Sequence, residues 1–118
     1  VIGVFLDANV LFFAAWRSGS GLTRLWEREA LHLVTSPYAV AEAERNLARK
    51  RPDAAARLDA LLRRVEITNA LGASILAAAV ASHCSVLATG DIADFGRLIG
   101  RTCQGVRILT ASMLLAEL

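Results

Sequence analysis

Apolar positions along the chain fall into two alternating rhythms. Short apolar runs occur at Val1–Leu6, Leu31–Thr35, Val65–Ile67, Val86–Thr89 and Val106–Leu109 and predict strands, the first of them buried on both faces and ending at Asp7. Between them the spacing turns helical. Asn9–Trp16 reads as a helical turn or two, and about Leu22 to Glu29 as a helix with Leu22, Leu25 and Trp26 on one face. Ser36-Pro37 is a helix start, an N-cap hydroxyl followed by Pro at the first helical position, and that helix runs to about Lys50 before Pro52 stops it. Asp53–Arg64 turns Leu58, Leu61 and Leu62 inward. Ala73–Ser82 is apolar nearly all round, which predicts a largely buried, central helix. Asp91–Ile99 reads as a short helix or turn, and Thr110 caps a last helix to Glu117. Strands separated by helices predict an α/β domain over residues 1–118: a parallel sheet of about five strands with helices on both faces, in three layers.

Composition narrows the class. Of 118 residues, 55% are apolar, 20% charged and two are Pro, which excludes a disordered chain, a collagen-like repeat and a Pro-rich linker. The net charge of +2 names no partner, but it is unevenly placed: residues 45–64 carry seven basic against two acidic side chains, a local +5, and leave about –3 for the rest. Cys84 and Cys103 form no metal or redox spacing, and with no secretory leader in view reduced thiols in a cytoplasmic protein are expected. The chain opens inside an apolar run, so a few leading residues are expected to be absent. Residues 67–90 hold no Asp, Glu, Lys or Arg, yet Ser82-His-Cys-Ser85 breaks the stretch, which predicts a buried helix and strand and no membrane span.

Three of the five Asp, namely Asp7, Asp91 and Asp94, follow apolar strands directly or one turn later. Ligands of open parallel sheets bind outside the C-terminal strand ends, where strand order reverses. Glu42, two turns into the helix after the second strand, can reach the same end. Unpaired carboxylates crowded there repel one another. A divalent cation removes that penalty, and oxygen-only ligands favour Mg²⁺ or Mn²⁺. Each acid alone is explained equally well as a helix or turn cap; all of them in register favour a site.

The chain resembles the PIN-domain ribonucleases. The likeness lies in Phe5-Leu-Asp-Ala-Asn-Val10, in Thr35-Ser-Pro-Tyr38 through Glu42 to Asn46-Leu47, in Ile75-Leu-Ala-Ala-Ala79, Leu87-Ala-Thr-Gly-Asp91 and Val106-Arg-Ile-Leu-Thr110, in order over essentially the whole chain. The resemblance implies a doubly wound sheet and an endonuclease that cuts RNA with Mg²⁺ or Mn²⁺ held by a carboxylate quartet. Asp7 matches the first acid, Glu42 the second and Asp91 the fourth; Asn9, Ser36 and Thr89 match supporting positions, and Asp94 assists behind them. It further implies a homodimer or an antitoxin chain as partner, the protein then being the toxin of such a pair. The third acid is absent, since Ser74 runs straight into Ile75. The intact Asp7, Glu42 and Asp91 favour missing loop residues between Asn69 and Ile75 over a true deletion.

The basic segment admits two readings, a solvated pair of helix faces or an RNA phosphate track using Arg45, Arg49, Lys50 and Arg51, and the solvated face is the commoner. Tyr38 and Trp16 are candidates for base stacking, though aromatics beside an apolar stripe are more often core, and Phe12-Phe13 for a partner contact. His32 and His83 read as structural or solvated. Two rival classes are less favoured on particular residues, although Gly90-Asp-x-x-Asp94 resembles the metal motif of the first. A haloacid-dehalogenase-type phosphatase needs an acid where Asn9 stands, and a phosphotransfer receiver domain needs an acceptor Asp after its third strand. A non-enzyme rival, a degenerate PIN fold that binds RNA or protein, draws its support from the absent third acid.

Overall fold

The computed structural model describes residues 1–69 and 74–118. Among them, β1 (Ile2–Leu6), β2 (Leu31–Thr35), β3 (Glu66–Ile67), β4 (Val86–Ala88), β5 (Thr102–Cys103) and β6 (Val106–Leu109) form one sheet in the order β3-β2-β1-β4-β6-β5. Every pairing is parallel except β5 with β6. The chain steps outward from β1 through β2 to β3, then returns to the other side of β1 as β4. Leu6 pairs with Ala88 across that reversal, so Asp7 and Thr89 follow directly on neighbouring strands. The helices are α1 (Ala8–Ala15), α2 (Pro37–Lys50), α3 (Ala55–Leu62), α4 (Ile75–Ala81), α5 (Ile92–Phe95) and α6 (Ala111–Ala116).

Side chains alternate across a pleated strand, and here both faces are apolar. Val4, Leu6, Leu33, Val86 and Ala88 join one core with Leu11, Ala43, Leu47, Leu58 and Leu114 from the helices. Phe5, Val34, Leu87 and Ile108 join a second core with Ala78 and Ala79 of α4. Fully burying each large aliphatic or aromatic side chain contributes about 1.5–3 kcal/mol, so both faces hold the strands in place. Thr35 adds a polar tie, its buried hydroxyl donating to the Leu6 carbonyl at 2.8 Å.

The starts of α2 and α6 lie where the sequence puts them. Ser36 Oγ accepts from Ala39 N–H at 3.2 Å and Thr110 Oγ1 from Met113 N–H at 3.1 Å. The stretch expected as a helix from Leu22 is a 3₁₀ helix over Gly21–Glu27 instead. Six strands replace the expected five, because Gln104 and Gly105 both adopt positive φ, 51° and 84°, and turn the chain tightly enough to pair Cys103 with Val106. The expectation of a largely buried Ala73–Ala81 helix is also corrected. Ala73 lies outside the described residues, as does any break in the chain between Asn69 and Ser74; within α4 only Ala78 and Ala79 are buried, while Ala77 and Ala81 are exposed. Alanine favours helix on either face, so its abundance does not report burial.

Both cysteines are free thiols, and burial pushes the Cys84 thiol up to about 11, which disfavours its thiolate. Among the described residues no helix is long and apolar enough to cross a membrane.

Candidate functional site

The C-terminal ends of β1 and β4 open into a cleft of about 590 Å³ lined by Asp7, Glu42, Asp91 and Asp94 together with Tyr38, Ser74, Ile75, Leu76 and Phe95. All four acids singled out from the sequence therefore face one space. Three elements deliver them. Asp7 is the residue after β1 and the N-cap of α1; Glu42 projects from α2; Asp91 caps α5, which carries Asp94.

Asp7 is the buried anchor, only 4% exposed. Its Oδ1 accepts from Ala8 N–H at 2.7 Å and its Oδ2 from the Thr89 hydroxyl at 2.7 Å. Thr89 is itself fully buried, and its oxygen accepts from Asp91 N–H at 3.0 Å. One hydroxyl thus couples the first acid to the backbone of the fourth. Burial raises the Asp7 carboxyl above its ordinary range; the bonds from Thr89 and Ala8 oppose that rise, and the charges of Asp91 and Asp94 add to it. Asp91 Oδ1 accepts from Asp94 N–H at 3.0 Å, which fixes the turn that presents both acids. Asn9 Oδ1 accepts from Gly90 N–H at 3.0 Å and ties the turn after β4 to α1.

Ser36 serves as the cap of α2, fully buried, and so sets the register that brings Tyr38 and Glu42 to the cleft. At the place where the resemblance puts a third acid, Ser74 lines the cleft and its Oγ caps α4 by accepting from Ala77 N–H at 3.2 Å. Its capping role is readable from a Ser before an apolar run; its position on the cleft wall follows from tertiary packing alone.

The donor chemistry fits a hard divalent cation. Every charged side chain in the lining is a carboxylate, and one of them is buried against the charge of two others, a strain that a cation relieves. The acids line the cleft without closing on one point: among the described residues no group of three or more His, Cys, Asp or Glu side chains forms a ready-made metal cage.

The basic segment is divided. Lys50 Nζ lies 5.7 Å over the Phe12 ring, and the Arg51 guanidinium lies 5.0 Å over Trp16 and 3.7 Å from Asp53. Arg57 donates to the Ala15 and Trp16 carbonyls at 2.8 Å each and closes the C-terminus of α1. Trp16 is thereby packed between Phe12 and Arg51, while Phe12 is buried and Phe13 exposed. Arg45 and Arg49 remain exposed on α2, and among the described residues no ion pair joins either to a carboxylate. Compared with models of known protein families and with curated proteins, the chain matches none of them.

Proposed function

We propose that this protein is a Mg²⁺- or Mn²⁺-dependent endoribonuclease of the PIN-like type, built on a three-layer, doubly wound α/β fold. The observation that carries the reading is the meeting of Asp7, Glu42, Asp91 and Asp94 in one cleft at the sheet's point of strand reversal. Asp7, Glu42 and Asp91 are the residues that would hold the ion, with Asp94 beside them. A bound Mg²⁺ or Mn²⁺ supplies a water of lowered pKa and positive charge for the phosphate undergoing attack.

The chain's own residues prepare the site. Thr89 and the α1 N-terminus hold both oxygens of Asp7, so this carboxylate is oriented before any ligand arrives. Thr89 also takes the Asp91 N–H, and Asn9 takes the Gly90 N–H, so the turn bearing Asp91 is tied to the end of β4 and the start of α1. Ile75, Leu76 and Phe95 give the cleft an apolar wall, which strengthens charge interactions by limiting water. Cleavage of a single-stranded RNA by the purified chain should require added Mg²⁺ or Mn²⁺, stop in EDTA, and be abolished by Asp7→Asn. Cleavage that persists in EDTA overturns the reading.

A second reading is supported by the absence of an acid before Ile75 and of a ready-made cage among the described residues: a PIN-like module that binds RNA without cutting it. RNA binding with no cleavage at any metal concentration selects it.

A further inference from the structure

Tyr38, Glu42, Arg45 and Arg49 stand at spacings of four, three and four along α2, which puts them within roughly 60° on one helix face. The buried face of α2, made by Ala39, Ala43 and Leu47, lies to one side, so the stripe is open along its length. Its N-terminal half, Tyr38 and Glu42, is cleft wall. Its C-terminal half carries two exposed arginines, to which no carboxylate is ion-paired among the described residues. Lys50 and Arg51, next along the helix, are turned onto Phe12 and Trp16 and belong to a different surface.

We infer that this stripe is a platform for one extended RNA strand leaving the cleft, with Tyr38 stacking on a base and Arg45 and Arg49 holding successive phosphates. The inference rests on the proposed RNA reading and assigns the direction and the residues of the substrate path. Its physical basis is charge placement. Four carboxylates in the cleft repel a polyanion and one divalent ion offsets only part of that charge, so cations just outside the cleft are placed to hold the strand's phosphates. Arg45 and Arg49 are about 6 Å apart along the helix axis, close to the step of one nucleotide in an extended strand. Arg is suited to the role because its planar fork grips phosphate oxygens in pairs. Tyr38 is 52% exposed at the inner end of the track and presents a ring face that any base can cover. An acidic peptide, the competing polyanion, has no bases for that ring and no fixed phosphate spacing for the two arginines.

The test separates binding from cutting. Full-length Asp7→Asn protein without divalent metal is titrated against a fluorescein-labelled single-stranded eight-residue oligouridylate, with anisotropy read from low to moderate salt. Adding Arg45→Ala and Arg49→Ala should weaken binding about tenfold or more at low salt and flatten the log–log salt slope by about 1.4, the value for two single-strand phosphate contacts. Removing the same charge with Arg63→Ala and Arg64→Ala, at the far end of α3, should change affinity less than twofold. Tyr38→Leu should cost about tenfold, whereas Tyr38→Phe should bind as the parent does. Equal losses from the two arginine pairs, or binding of an octaglutamate peptide as tight as that of the oligonucleotide, overturn the inference. A chain that shows these effects yet never cleaves RNA refutes the nuclease reading and leaves the track standing.

Discussion

Replacing Thr89 by Val tests the polar link at the bottom of the cleft. Val has nearly the shape of Thr, so the fully buried position keeps its packing and loses only a hydroxyl. That hydroxyl donates to a carboxylate oxygen at 2.7 Å, and hydrogen bonds to charged groups contribute about 1.5–3 kcal/mol. The Asp91 N–H also loses its acceptor, but Asp91 is half-exposed and water can replace it. The expected loss is about 2 kcal/mol at pH 7, a fall in Tm of roughly 8 °C for a domain of this size. The loss also depends on pH. Burial raises the Asp7 carboxyl in the folded state above its ordinary 3.8, so the native protein binds more protons than the unfolded chain between the two values. The contribution of Asp7 to stability therefore improves as pH falls through the folded value and is complete below the unfolded one. Thr89 opposes that rise, so the Val variant has a still higher folded value. Its deficit against the parent must be largest at pH 7 and shrink as Asp7 takes up its proton. Thermal unfolding followed by circular dichroism between pH 7 and pH 4 measures both effects. A Tm within 2 °C of the parent at pH 7, or a deficit equal at the two pH values, refutes the account of Asp7 as a buried, Thr89-held carboxylate.

Two other substitutions probe the surroundings. Arg57→Ala removes both donors that close the C-terminus of α1, and should lower stability by about 1–2 kcal/mol, read as a drop in the urea midpoint at unchanged slope; an unchanged midpoint contradicts the capping role. Ser74→Asp keeps a good N-cap for α4 and adds a carboxylate to the cleft wall, so it should lower the Mn²⁺ concentration that half-saturates the protein and raise cleavage at limiting metal. No change in either readout removes Ser74 from the cation's neighbourhood.

The end of β1 and the acids after β1 and β4 were legible because each apolar run closes on an Asp, directly at Asp7 and after Thr89-Gly90 at Asp91. Asp7 and Asp91 come from that rule, and Glu42 from the Ser36-Pro37 start, which sets the phase of α2. Other features depended on information that the pattern does not contain. The strand Thr102–Cys103 is two residues long, too short for a period, and exists because Gln104 and Gly105 reverse the chain with positive φ. The exposure of α4 was hidden because a run of alanines has no polar face to mark solvent. Charge counting grouped Arg45, Arg49, Lys50 and Arg51 together. Only three-dimensional packing separates the two cations seated on Phe12 and Trp16 from the two left on the open stripe. The sequence marked Ser74 only as the residue that runs into Ile75 where an acid is absent; its place on the cleft wall depends on where α4 lies relative to β1 and α2.

The central claim is that Asp7, Glu42, Asp91 and Asp94 together make a divalent-cation site, and a Mn²⁺ titration of the purified chain addresses it without any RNA. Electron paramagnetic resonance of free Mn²⁺ should show saturable uptake by the parent protein that is competed by excess Mg²⁺, reduced in Glu42→Gln and lost in Asp7→Asn, with the variants still folded by circular dichroism. Uptake that is absent from the parent, or unchanged in Asp7→Asn, contradicts the claim.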